Sequence, residues 1–283
     1  MLPNVICVGV QKAGTTYLAS LLRQHPDIFL PKQKELHFFS NEGKYAKGMK
    51  LYKKYFEKAN NEKLLFESTP RYIIDEKYLK RINDELGEDT KIIIMIREPI
   101  SRLISHYKMN YFKDKENLTL SKAIRKSFNE KSSNYHDYIK RGLYADQIEM
   151  VLKYFKRENV YLIVFDDFIK NTQRELEKLM EFLGVDSKYE FNLSVDKNKN
   201  KNSKVNFLGK IYFAIPFRIR HKIIGILPYR KPRDKSDLLF KKIPEVNIEE
   251  LESDLLKKLQ TIYGEQINRL EKLYKLDLSI WKY

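Results

Sequence analysis

Three short stretches combine residue types that act on anions and protons. The first, Gln11-Lys12-Ala13-Gly14-Thr15-Thr16, places a cation, a glycine and two hydroxyls together. It follows the apolar run Asn4–Gly9 and precedes a helical pattern with Leu18, Leu21 and Leu22 on one side. Strand, glycine turn and helix N-terminus is the geometry in which backbone N–H groups and the positive helix end hold a phosphate. A standard phosphate loop reads Gly-x-x-x-x-Gly-Lys-Ser/Thr. Gly9 and Gly14 keep that spacing, but Thr15 stands where the lysine belongs and the positive charge sits at Lys12, inside the turn.

The second stretch is Arg97-Glu98-Pro99 through Ser105-His106-Tyr107, behind the apolar run 91–96. Ligands in open α/β sheets sit beyond the carboxyl ends of strands, where Arg97 emerges. Pro99 suits the first turn of a helix. Ser105 follows two turns on and shares a helix face with Arg102. An ion pair with a surface carboxylate, Glu98 or one further off, is the plainer reading of Arg97; taken with the first loop, two anion grips imply one ligand with two phosphate-like ends. The third stretch, residues 32–39, holds Glu35 and His37 ahead of Phe38 and Phe39. Rings beside a carboxylate desolvate it and raise its pKa toward that of a useful base. His37 is the other candidate base, with a structural histidine as the plain alternative.

The elements that must position these residues are legible as apolar runs. Residues 4–9, 64–67, 91–96 and 160–165 are apolar with little alternation, which suits strands covered on both faces. Helical patterns fall at 75–86, 100–113, 119–129 and 144–157. Another opens at Asn171 or Thr172, with Leu176, Leu179, Met180 and Leu183 facing inward. A long last helix is expected over 248–275, with Leu251, Leu255, Leu259, Ile262, Ile267 and Leu270 as its core stripe. This alternation predicts an α/β fold of three layers, a central mostly parallel sheet flanked by helices. The whole chain, 1–283, reads as a single domain, with a loop at 196–204.

Composition bounds the function. With 42% hydrophobic residues, 19 Tyr and 16 Phe, the 283-residue chain can build a core and is not mainly disordered. One cysteine, Cys7, excludes an internal disulfide framework and a cysteine-based metal cluster. The expected setting is a reducing cytoplasm, since neither a signal peptide nor a membrane span is evident. The formal charge of +16 says that the surface prefers anions.

In order and spacing, the three stretches together resemble the sulfotransferases that use 3′-phosphoadenosine 5′-phosphosulfate (PAPS). Residues 11–16 are similar to their 5′-phosphosulfate loop, Arg97–Tyr107 to their 3′-phosphate motif, and Lys34–Phe39 to the Lys-Glu-x-His-Phe-Phe stretch of the heparan-type carbohydrate enzymes. Weaker matches are Glu67-Ser68-Thr69-Pro70-x-Tyr72, Arg141-Gly142-x-Tyr144 and Asp277-Leu278-Ser279-x-Trp281. The resemblance implies a P-loop-like fold and PAPS as sulfuryl donor, with no metal. It implies that Lys12 steadies the bridging oxygen, that residues 12–16 (Lys12, Ala13, Gly14, Thr15, Thr16) hold the 5′ end, and that Arg97 and Ser105 hold the 3′-phosphate. Lys204 falls where the family's later cofactor loop is expected. Glu35, with His37 in reserve, takes the acceptor proton. The implied acceptor is a hydroxyl on a carbohydrate or glycolipid. Heparan-type enzymes commonly carry Lys where this chain has Ser68, near the acceptor sugar, so a glycosaminoglycan is not implied outright.

Two rival classes remain at the level of sequence. A P-loop kinase or NTPase finds support in 160–165 followed by Asp166-Asp167, against the missing lysine and metal-binding aspartate; a turn or helix cap is the expected role of those aspartates. A non-catalytic binder of anionic membrane or nucleic acid finds support in 205–233, where apolar and basic residues alternate. That segment is read as a lid over the site or as a contact with the inner face of the membrane. No nucleic-acid motif is present and no nucleic-acid partner is expected.

Overall fold

The computed structural model describes residues 1–113, 115–129, 137–194, 248 and 251–281. The four apolar runs form strands β1 (Val5–Gly9), β3 (Leu64–Ser68), β4 (Lys91–Ile96) and β5 (Val160–Val164). A fifth, β2 (Ile28–Phe29), is two residues long and too short for any periodicity to reveal. All pair in parallel, in the order β2-β3-β1-β4-β5. Every residue of β1 and β3 is buried, as expected of strands covered on both faces.

Strand order fixes where a ligand can sit. From β1 the chain crosses to the edge strand β2 and returns to β3 beside β1 on one side, then runs outward through β4 and β5 on the other. The order reverses between β1 and β4, and the crevice beyond their carboxyl ends is the switch point of the sheet. Both anion-binding stretches leave the sheet there. The registers Cys7↔Ser68 and Ile96↔Val164 bring the ends of β3 and β5 to the same edge.

The helices lie close to where the pattern puts them. They are α1 (Thr15–Leu22), α2 (Glu42–Tyr45), α3 (Met49–Lys54), α4 (Glu76–Leu86), α5 (Pro99–Phe112), α6 (Leu120–Asn129), α7 (Tyr144–Leu152), α8 (Phe165–Lys170), α9 (Thr172–Leu183) and α10 (Ser253–Tyr274). Three boundaries differ from expectation. The helix predicted over 144–157 stops at Leu152, because the chain turns to bury Phe155 before entering β5. Phe165, expected to close β5, opens α8 instead, so Asp166 and Asp167 lie in the first turn of a helix. The last helix begins at Ser253, after Leu251 has already been buried.

Two apolar clusters hold these elements. One surrounds the sheet; the other joins α5, α6 and α10 through Leu103, Ile124, Leu255, Leu259 and Tyr263. The α10 stripe includes Tyr263, which the aliphatic pattern omitted. Its hydroxyl donates to the Ile139 carbonyl at 3.1 Å, and its ring sits where a Cβ on Gly142 would lie at 2.7 Å. Trp281 is buried and its indole N–H donates to Asp166 Oδ2 at 2.9 Å, tying the end of the described chain to α8. No helix among the described residues is long and apolar enough to cross a membrane.

Candidate active site

The turn after β1 has the backbone geometry that suits an anion. Val10 N–H donates to the Met95 carbonyl at 2.8 Å, which pins the turn to β4. Lys12 and Gly14 both take left-handed backbone angles, φ 75° and 94°. Gly14 is required there twice over: a side chain at that φ is strained, and a Cβ would lie 2.6 Å from the Phe165 ring. Helix α1 then starts with no side-chain cap and no acidic residue in its first turn. Its leading N–H groups and positive end are therefore offered to a ligand. Ala13 and Thr15 are buried in the turn, and Thr16 is exposed at its rim. Burial lowers the Lys12 pKa, and the charges of Lys113, Arg97 and Arg102 lower it further against the opposing pull of Glu35. An anion bound there would relieve that crowding of positive charge.

Arg97 is brought to the same crevice. Its guanidinium stands over the Phe165 ring, 5.0 Å from the centroid, and its carbonyl accepts the Tyr144 hydroxyl at 2.7 Å. One ring thus touches both the glycine turn and the arginine. No sequence pattern marked Phe165, because the contact is made across β4 and β5. Glu98 is not the partner of Arg97: its two carboxylate oxygens accept from Ile100 N at 2.8 Å and Ser101 N at 2.6 Å, capping α5. The cap closes the N-terminus of α5 to an external anion, so any second grip consists of side chains. Ser105 is half-buried on α5, six residues past Pro99 or about 9 Å along its axis, and no hydrogen bond joins it to Arg97. Arg102, expected on the same face, is fully buried and donates to the Tyr138 carbonyl.

The third stretch departs from expectation in its electrostatics. Phe38 and Phe39 turn into the core, and Phe38 stacks on Tyr52 at 4.5 Å, so the rings do not desolvate the carboxylate. Glu35 instead accepts from Lys34 Nζ at 2.9 Å, and its Oε2 lies 3.5 Å from His37 Nε2. The His37 hydrogen bond, reinforced by the charge and hydrogen bond of Lys34, outweighs partial burial and holds its pKa down at about 2. Glu35 is an ionised acceptor, not a carboxyl tuned upward. Both Glu35 and His37 have left-handed backbones, φ 61° and 53°. Such angles cost non-glycine residues on the order of 1–3 kcal/mol each.

Glu35 and His37 face a cleft of about 240 Å³ that is also lined by Gln11, Arg71, Lys113 and Arg141. The pKa of Arg141 falls to about 10 through burial and the nearby charges of Arg102 and Arg71. The glycine turn contributes one wall through Gln11, so the cleft opens beside the anion seat. In the sequence Arg141 stands out only as part of a weak motif match, and nothing marks Arg71 or Lys113. Their common signal, three cations converging on one pocket, exists only in three dimensions. Cys7 is buried beneath, and burial pushes its thiol up to about 11, which leaves it unreactive. Lys204 and the segments 196–204 and 205–233 lie outside the described residues.

A parallel α/β sheet with an uncapped glycine turn at its switch point and an arginine on the neighbouring strand end defines a class of domain that grips an anionic nucleotide-like ligand. Comparison with known proteins specifies the family. The sulfotransferase domain model matches residues 2–212, and the chain belongs to that family. It is similar to heparan sulfate glucosamine 3-O-sulfotransferase 5 of Mus musculus, 32% identical over 189 residues, covering 65% of this chain and 54% of that protein. Heparan sulfate glucosamine 3-O-sulfotransferase 3B1 of Homo sapiens is 28% identical over 222 residues, 74% of this chain and 55% of that protein. The chain thus spans about half the length of the curated relatives it matches. A crystal structure of a sulfotransferase from Alicyclobacillus acidocaldarius superposes with a TM-score of 0.72 at 25% identity, covering 99% of both chains. The fold is also that of mouse sulfotransferase SULT7A1 complexed with PAP, at a TM-score of 0.52 and 16% identity over 96% of this chain and 88% of that one.

Proposed function

We propose that this protein transfers a sulfuryl group from PAPS to a hydroxyl of an acidic carbohydrate-type acceptor. The observation that carries the reading is the contact of one ring, Phe165, with both the glycine turn and Arg97. A donor with a 5′-phosphosulfate and a 3′-phosphate has two anionic ends, and the crevice offers two separate cationic grips. The fit is supported by an α1 N-terminus without an acidic residue and by the absence of an ion pair at Arg97 among the described residues.

In this reading the N–H groups of residues 14–16, with Lys12, hold the 5′ end, and Arg97 with Ser105 holds the 3′-phosphate; the Ala13 N–H is committed to the Val10 carbonyl at 3.3 Å and shapes the turn instead. When bound, the donor supplies an activated sulfur. The acceptor oxygen forms an O–S bond as the bond from sulfur to the bridging oxygen breaks, and the acceptor proton passes to Glu35. Lys12 neutralises charge that grows on the bridging oxygen, where a preorganised cation acts most strongly. A carboxylate with so low a pKa takes the proton late, after O–S bond formation has acidified the hydroxyl; His37, 3.5 Å away, then steadies it. Arg71, Lys113 and Arg141 line the cleft where the acceptor enters, and they favour an acceptor that carries carboxylate or sulfate groups. The names of the heparan sulfate relatives support the same class.

The test is transfer of radiolabelled sulfate from PAPS to a panel of glycans and glycolipids, run in chelator. Label on acidic glycans without added Mg²⁺ is expected. Metal-dependent turnover of ATP, with no label transferred, would place the protein among kinases or NTPases instead. Of the two aspartates that gave that rival its support, Asp166 is engaged by the Trp281 indole, and both lie in the first turn of α8.

A further inference from the structure

Beneath the Glu35–His37 pair lies a buried polar chain with no assigned role. Strand β3 ends in Glu67-Ser68-Thr69, and this strand end holds the backbone of both residues above it. The Ser68 carbonyl accepts from Glu35 N at 3.1 Å, and Thr69 Oγ1 accepts from His37 N at 3.3 Å. Thr69 is fully buried, and its hydroxyl also lies 2.6 Å from Glu67 Oε1. The hydroxyl donates its proton to Glu67 Oε1 while its oxygen accepts the His37 N–H.

Glu67 is 2% exposed. The Tyr72 hydroxyl donates to its Oε1 at 2.8 Å, and the Tyr52 hydroxyl donates to its Oε2. The rings of those two tyrosines form the wall on which Phe38 and Phe39 pack: Phe38 on Tyr52 at 4.5 Å, Phe39 on Tyr72 at 5.6 Å. The carboxylate therefore collects the hydroxyl that holds His37 and the two rings that hold the next residues of the same turn. Left-handed backbones at non-glycine residues persist only where their surroundings over-determine them. This chain supplies that constraint.

We propose that Thr69, anchored by the carboxylate of Glu67, is a positioning residue that holds the backbone of His37 and so sets the contact between His37 and Glu35. The proposal rests on the reading of Glu35 as proton acceptor given above. Thr69 touches neither donor nor acceptor in that reading; it acts through the backbone of His37. Without its hydroxyl the His37 N–H loses its buried acceptor, the turn relaxes out of the left-handed region, and Glu35 keeps Lys34 as a partner while losing His37.

The test reads Glu35 directly, by NMR of protein labelled with carboxyl-¹³C glutamate, with Glu35→Gln assigning the signal. From neutrality down to about pH 4, below which an ordinary glutamate is mostly protonated, wild-type Glu35 is expected to stay flat. Thr69→Val is expected to show Glu35 titrating within that range, with a matching rise in the acid limb of PAPS turnover. Thr69→Ser, which keeps the hydroxyl, restores the flat line. Affinity for 3′-phosphoadenosine 5′-phosphate (PAP) should remain within about twofold in Thr69→Val, which shows the glycine turn intact. Should the valine variant fail to fold, Thr69→Ala removes the hydroxyl without placing a methyl against Glu67 and carries the same expectation. A flat Glu35 signal in the folded variant overturns the proposal, whichever way Glu35→Gln behaves. Full turnover by Glu35→Gln, in contrast, removes Glu35 from the chemistry while the NMR result still decides the role of Thr69.

Discussion

At the scale of single residues, the site is an arrangement of charges that the fold keeps from neutralising one another. Lys12 loses affinity for its own proton through burial and three neighbouring cations, and it remains useful only because an anion is expected beside it. Lys12→Ala should lower turnover on the order of 10²–10³-fold, the loss that follows removal of one transition-state charge contact; steady-state rates with PAPS check it. Gly14→Ala introduces a Cβ 2.6 Å from the Phe165 ring at φ 94°, so calorimetry should find PAP binding abolished and thermal melting an unfolding free energy lowered by on the order of 1–3 kcal/mol. Glu35 sets the pH behaviour. Its pKa is depressed, chiefly by the His37 hydrogen bond and then by Lys34, so the ionised form survives well below pH 4.5 and is lost only as pH falls through about 2. Lys34→Met removes one of the depressing partners. The acid limb of kcat/KM should then move upward toward the ordinary glutamate value, and an unmoved limb would show that Lys34 does not tune the carboxylate.

At the scale of elements, strand ends and helix starts do most of the positioning. The glycine turn was legible because everything that defines it, apolar run, Gly14 and following helix, is contiguous in the chain. The low pKa of Glu35 was not, because sequence shows that Phe38 and Phe39 are near but not that they turn into the core. Phe165 was missed for a related reason: it reads as one more apolar residue at a strand end, and its contacts with Gly14 and Arg97 are made across the sheet. The Glu98 cap was masked by the plausible pairing of adjacent Arg97 and Glu98. Glu98→Ala should uncap α5 and lower stability by about 1 kcal/mol, seen as a reduced midpoint in urea. It should leave Arg97 in place over Phe165. The Trp281–Asp166 contact ties the chain end to α8, whose first residue is Phe165. Trp281→Ala should therefore cost about 3–5 kcal/mol and weaken PAP binding as well, whereas a surface anchor would affect neither.

At the scale of the whole molecule, the parallel order β2-β3-β1-β4-β5 places the glycine turn and Arg97 on adjacent strand ends at the point where the order reverses. The chain as a whole carries a net charge of +16, which favours anionic ligands. The central claim is that the two grips hold opposite ends of one bisphosphorylated adenosine. Its most direct measurement is the ratio of dissociation constants for adenosine 5′-monophosphate and PAP, by calorimetry, in wild-type protein and in Arg97→Ala. The two ligands differ only by the 3′-phosphate. Wild-type protein should prefer PAP by about 10–100-fold, the worth of one charge-assisted contact, and Arg97→Ala should bring the ratio near unity with the affinity for the monophosphate unchanged. An equal preference in both proteins, or no binding of PAP by the wild type, would contradict the account.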